Sequence, residues 1–149
     1  MLEYCKFDKL EILKLGEYPI SDISVLEKVN FKELKDLFLN YINISDIKVL
    51  ARVKFYKLEV LDLSYDEISD INILEKVNFK ELKKLYLHNN RISDIKIFEN
   101  VKFDKLELLN IEYNQISEKE NESIISKLNG KIKRFQIWIF IYEMIKTFK

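Results

Sequence analysis

The residue types that most often carry chemistry are scarce in this chain. One cysteine and one histidine occur in 149 residues. A lone Cys5 can neither close an intramolecular disulfide nor supply a thiolate metal cluster, so it implies no redox compartment. A lone His88 needs a nucleophile within reach, and Cys5 falls several repeats away, which rules out a Cys–His pair. Gly16 and Gly130 are the two glycines, too few and too far apart for a phosphate-cradling loop. With no histidine or cysteine cluster there is no metal-ligand spacing, and no cofactor is expected.

An excess of charge of one sign is missing too. The 25 basic and 25 acidic residues give a formal net charge of zero, so the field that gathers nucleic acid or an anionic membrane is absent. Long apolar runs are also lacking. The longest, "IWIFIY" near the C-terminus, is far short of the roughly 20 residues that span a bilayer. The N-terminal "MLEYCKFDKLEIL" has no basic stretch followed by an apolar one, so the default location is the cytoplasm.

What the chain has in abundance is a period. "ISDI" stands at 20–23, 44–47, 68–71 and 92–95, each copy 24 residues after the last. Phe7, Phe31, Phe55, Phe79 and Phe103 keep the same step. Behind them come Leu10, Leu34, Leu58, Leu82 and Leu106, then Leu13, Leu37, Leu61, Leu85 and Leu109, then Leu15, Leu39, Leu63, Leu87 and Ile111. Further apolar columns begin at Ile20, Ile23, Leu26 and Val29.

Spacing changes within each unit. Leu-x-Leu, as in "LYL" at 85–87, alternates with period two and predicts a short strand. Ile-x-x-Leu-x-x-Val, as in "ISDIKIFENV", has period three and predicts a tight 3-10 or α turn. Ser21, Ser45, Ser69 and Ser93 precede that turn, and the adjacent aspartates set negative charge at its positive end. One such unit cannot bury its apolar face alone, so neighbours must stack.

"LKKLYLHNNRI" at 82–92 and "LELLNIEYNQI" at 106–116 resemble the leucine-rich repeat consensus Leu-x-x-Leu-x-Leu-x-x-Asn-x-Ile. With the following "SDI" the units are most similar to the short-repeat subclass of phosphatase-regulator and internalin-like proteins. The resemblance covers positions 7–116. It implies an α/β fold: a right-handed leucine-rich repeat solenoid with a parallel concave sheet and short helical or 3-10 turns on the convex side. For function it implies a shared binding surface and no shared reaction. The family's ladder-forming asparagine appears here as Tyr18, Ile42, Asp66, Asn90 and Asn114, so a regular ladder is expected only towards the C-terminus.

The whole chain, 1–149, is expected to form one domain, with regular repeats over 7–117 and a degenerate repeat and cap over 118–149. Leu2 and Cys5 fall in the columns of Leu26 and Val29, which makes Cys5 a core residue and starts the chain partway through a repeat. "SEKENESIISKLNG" predicts a helix ended by Gly130. "IKRFQI" at 132–137 fits a sixth, degenerate coil, and the apolar Trp138–Lys149 is expected to fold back over it as a cap, the alternatives being a partner or self-association edge and a membrane contact.

Functional residues are sought among those flanking the strand leucines, which face the concave side. Phe38, Tyr41, Tyr65, Tyr86 and Tyr113 gather there, with His88 among them. Aromatics on a solvent-facing sheet bury large area at low entropic cost, as binding hot spots do; tyrosines also simply suit strand surfaces. These six are the candidate partner-binding residues, and no catalytic or metal-binding residue is assigned. Asp36 and Asp62 fall on adjacent strands and could share a proton or a cation, but a solvated pair is the simpler reading. Lys9, Glu33, Lys57, Glu81 and Lys105 alternate in sign along the stack, and Glu11, Lys35, Glu59, Lys83 and Glu107 alternate in the opposite phase. That predicts register and solubility, and duplication of a pair of units. The expected function is a non-catalytic module that binds a protein or peptide. The alternative is a structural segment of a longer array that self-associates through its ends.

Overall fold

Residues 7–18, 20 and 22–137 are described in a computed structural model of the chain. The expectations for Leu2, Cys5, Ser21 and the Trp138–Lys149 tail lie outside the described residues. Each Leu-x-Leu segment contributes a three-residue strand. These are β1 (Ile12–Lys14), β2 (Asp36–Phe38), β3 (Val60–Asp62), β4 (Lys84–Tyr86), β5 (Leu108–Asn110) and β6 (Arg134–Gln136). They form one parallel sheet in chain order. The register steps by one repeat, with Leu13, Leu37, Leu61, Leu85 and Leu109 side by side. Phe135 then takes its place beside Leu109, so "IKRFQI" does supply a sixth strand in the leucine column.

The period-three segments form 3-10 turns at Ser24–Glu27, Lys48–Ala51, Asn72–Glu75 and Lys96–Glu99. Their starts are held by aspartate, and at the described Ser45, Ser69 and Ser93 not by serine. Oδ1 of Asp22, Asp46, Asp70 and Asp94 accepts the backbone N–H two residues on, at 2.8 to 2.9 Å. In the fifth coil the α-helix α1 (Glu118–Lys131) replaces the 3-10 turn. It buries Ile124, Ile125 and Leu128 along one face, the spacing of an amphipathic helix. Contrary to expectation α1 runs past Gly130, because Ile132 N–H still reaches the Leu128 carbonyl at 2.8 Å.

Between sheet and turns lies one continuous core. Phe31, Phe55 and Phe79 are at most 2% exposed, and the Phe7, Phe31 and Phe55 rings follow one another at 5.7 and 5.9 Å. The leucine and isoleucine columns of the central coils are buried as well, whereas Phe7, Leu10, Leu13 and Leu15 of the first coil are only partly so. On the surface the alternating charges pair between neighbouring coils. Lys35 meets Glu11 at 3.0 Å, Lys57 meets Glu33 at 2.6 Å, Lys83 meets Glu59 at 2.7 Å and Lys105 meets Glu81 at 2.5 Å.

Past each strand, side chains continue the bonding between coils. Asn90 Oδ1 accepts Ile68 N–H at 2.9 Å, and its Nδ2 donates to the Leu63 and Leu87 carbonyls at 2.8 and 3.1 Å. Asn114 repeats the pattern with Ile92 N–H and the Leu87 and Ile111 carbonyls. Asp66 does half of this: Oδ1 accepts Ile42 and Ile44 N–H at 3.0 and 3.2 Å, but Oδ2 is buried with no partner. Ile42 contributes no acceptor, and Ile20 N–H bonds locally to the Tyr18 carbonyl at 2.7 Å instead. The side-chain ladder therefore begins at Asp66.

Burial pushes the Asp66 carboxyl up to about 6, against backbone N–H bonds from Ile44, Ile42 and Asn43 that pull it down; the charge of Asp62 adds to the rise. An acid whose folded pKa is raised binds its proton more tightly when folded. Its stabilising form is therefore present below the ordinary value of 3.8 and is lost as pH rises through about 6. Replacing Asp66 by asparagine supplies the missing donor permanently. Asp66→Asn should raise the unfolding free energy by about 1–2 kcal/mol near pH 8, and the gain should shrink towards zero near pH 4. Urea unfolding of both chains at the two pH values measures this, and taking the difference removes the other titrating groups. A gain of equal size at both would refute it.

Candidate partner-binding face

Each strand ends in a bend whose backbone leaves the ordinary region. Glu17, Tyr41, Tyr65, Asn89 and Tyr113, one residue per coil, have φ between 53° and 68°, the left-handed region that glycine and asparagine tolerate best. Hydrogen bonds between coils hold this bend. Glu17, Tyr41, Tyr65 and Asn89 donate N–H to the carbonyls of Asn40, Ser64, His88 and Glu112 at 3.0 to 3.2 Å. Gly16 matters here, since a Cβ on it would stand 2.8 Å from the Asn40 carbonyl and side-chain oxygens.

Because one bend repeats on the next, the side chains it carries are superposed. The Tyr41 and Tyr65 rings stack at 4.1 Å with 12° between their planes. His88 meets Tyr65 edge-on at 5.2 Å and Tyr86 at 6.2 Å. Four of the six candidate residues thus form one aromatic cluster across three coils. Phe38 lies on the same sheet face, two strands from Tyr86, under the Lys14 ammonium at 5.2 Å. Tyr113 is exposed in the same column as Tyr65, but Asn89 stands between them. Lys14 was not among the candidates, although its one-repeat separation from Phe38 carried the signal.

Exposure of this face is uneven. Tyr41 is 48% and Tyr65 40% exposed, while Leu108 and Asn110 of β5 are buried and Arg134 and Gln136 of β6 are exposed again, so β5 interrupts the accessible face. Partial desolvation in the stack, the hydrogen bond to Tyr65 and the nearby charges hold the Tyr41 phenol above its ordinary pKa. Burial holds His88 below its ordinary value, against the pull of the Asp62 and Glu112 carboxylates. At neutral pH His88 is therefore an uncharged aromatic group, with Nδ1 buried and without a hydrogen-bond partner.

Asp36 pairs in register with Val60, and Asp62 with Phe38, so the two carboxylates sit diagonally. Asp62 Oδ1 accepts the Ser64 N–H and hydroxyl at 3.0 and 2.6 Å. Among the described residues no group of three histidine, cysteine, aspartate or glutamate side chains could hold a metal ion. No described helix is long and apolar enough to cross a membrane.

Comparison with known proteins bears on the fold. The family described as Leucine Rich repeats (2 copies) matches residues 80–123. No curated protein matches the sequence. An internalin (inlF) from Listeria monocytogenes is similar in structure, with a TM-score of 0.62 and 25% identity over 87% of this chain and 41% of that one. An internalin C2 (inlC2) from the same organism is similar with a TM-score of 0.58 and 23% identity, over 88% of this chain and 62% of its own. The chain thus spans less than two thirds of either internalin. The matched repeats at 80–123, and coils built on the same columns along the described chain, give a leucine-rich repeat solenoid fold similar to that of the internalins.

Proposed function

We propose that the chain is a non-catalytic interaction module that takes a protein or peptide partner on its concave face. Phe38, Tyr41, Tyr65, Tyr86, His88 and Tyr113 would form the contact surface. One observation carries the reading. Tyr41, Tyr65 and Tyr113 occupy a left-handed backbone position, at φ of 60°, 59° and 53°, where a bulky residue is strained by about 1–2 kcal/mol. All three are at least 40% exposed. Rings placed where the backbone disfavours them, and left in water, suit a surface selected for contact. Leucine-rich repeats generally serve protein–protein interaction, which agrees with this.

A second reading is favoured by the half-buried first layer of Phe7, Leu10, Leu13 and Leu15, which a second copy stacked on β1 would cover. Light scattering over a concentration series tests it. Mass rising with concentration would support assembly through the ends, and a constant monomer mass would reject it.

Two measurements test the first reading. Tyr65→Asn exchanges strain for ring contacts worth about 0.5–1.5 kcal/mol, so it should change the unfolding free energy by less than about 1 kcal/mol; a loss above about 2 kcal/mol would make the stack a structural element. Peptides selected from a random library on the intact chain should bind the Tyr65→Ala/Tyr86→Ala double variant at least about tenfold more weakly. Unchanged affinity would move the site elsewhere.

A further inference from the structure

The aromatic cluster has a charge environment of its own, although the chain as a whole is neutral. Tyr65 covers one face of Tyr41. The opposite face looks along the column towards the first coil, where the residue is Glu17. Its carboxylate is exposed and near enough to act on the Tyr41 phenol. Asp62 and Glu112 act in the same way on His88, and His88 itself is uncharged. Three carboxylates thus border one cluster of rings.

Among the described residues one cation lies at the trailing ends of the strands: Lys14, the last residue of β1, over the neutral Phe38 ring. Lys84 and Arg134 occupy the leading ends of β4 and β6, whereas the cluster lies at and beyond the trailing ends. Arg91, further round the bend, is tied to Glu67 at 3.0 Å. Three carboxylates against the one ammonium of Lys14 leave the trailing end net negative, so an occupant meets negative potential and π faces together. Acidic and nucleic-acid ligands are repelled there, and a cation is drawn in.

Resting on the interaction reading above, we infer that the partner is a basic peptide segment that places an arginine on the open face of Tyr41, paired with Glu17. Arginine fits better than lysine for two reasons. Its guanidinium is planar and weakly hydrated, so it stacks on a tyrosine ring at little desolvation cost. Its fork presents several N–H donors, so it can lie on the ring and still donate to a carboxylate at its edge. Asp62 and Glu112 provide the field that favours a second basic residue further along the same segment.

The test is selection from a random peptide library on the full chain, followed by affinity measurement of the enriched peptides. Enriched peptides should carry arginine. Changing that arginine to lysine should weaken binding about fivefold, and to glutamate beyond detection. Glu17→Gln and Tyr41→Leu should each cost about tenfold, while Tyr41→Phe, which keeps the ring, should bind as the unaltered chain does. Glu17 is exposed, so its replacement leaves the fold intact. Arginine peptides that bind Glu17→Gln and Tyr41→Leu undiminished would overturn the inference, as would enriched peptides without arginine. If peptides of the latter kind still lose affinity for Tyr65→Ala/Tyr86→Ala, the concave-face reading survives alone. Peptides indifferent to every tyrosine variant, or no enrichment at all, would overturn both.

Discussion

Every other feature of this molecule depends on the backbone hydrogen bonding between one coil and the next. It is not confined to the three-residue strands. It enters at the Glu11, Lys35 and Glu59 carbonyls, each of which takes two N–H groups from the following coil, and it continues past the strands through Asn40, Ser64 and His88. From β1 to β5 parallel pairing is met by one constant step, and a slip of one residue within a strand would turn its leucine out of the core. The 24-residue period is the sequence record of that pairing, and the longer step from Leu109 to Phe135, which carries α1, keeps the same register. Superposed phenylalanines, paired charges and stacked tyrosines follow from it.

Where the side chains take over the bonding, the coils cease to be equivalent. Asn90 and Asn114 each accept one N–H and donate to carbonyls of two coils. Asp66 can accept but, while ionised, cannot donate, and Ile42 can do neither. Yet Ile42 is 1% exposed, so it contributes apolar burial at a position where its neighbours contribute polar bonds. The stack thus changes the means by which its bends are held as it proceeds, from local backbone contacts near the first coil to a buried polar ladder near the last.

Much of this was legible in the sequence, for a physical reason: strand, turn and core each impose a distinct spacing, and repetition averages away the ambiguity of any one copy. The leucine columns, the 3-10 turns and the sixth strand at Phe135 were all readable. The turn starts were half readable. Serine and aspartate are both capable acceptors at adjacent positions, and only the chain direction at the bend decides that Asp22, Asp46, Asp70 and Asp94 receive the N–H. The extent of α1 was misjudged at Gly130, because a glycine marks a helix end only where the chain turns, and here Ile132 keeps bonding in helical register. The candidate face was legible as a set of columns. Which members touch was not, because the column of Tyr65 is broken at Asn89, and because His88 reaches Tyr65 from a different column. The left-handed bends that carry the tyrosines have no sequence mark at all, since asparagine, glutamate and tyrosine share the position.

The paired charges on the flank have a consequence for folding fidelity. The apolar columns are the same in every coil, so a coil packed on its second neighbour, with the one between looped out or exchanged with another molecule, would satisfy the core nearly as well. The charge columns tell these arrangements apart. Lys57 faces Glu33 in the native stack, but in a stack slipped by one coil it would face Lys9 or Lys105, and each of the other pairs would likewise become like against like. Singly these exposed contacts contribute about 0–1 kcal/mol. A slip inverts all of them at once, so their weight falls on the choice between threadings that the hydrophobic interior cannot make.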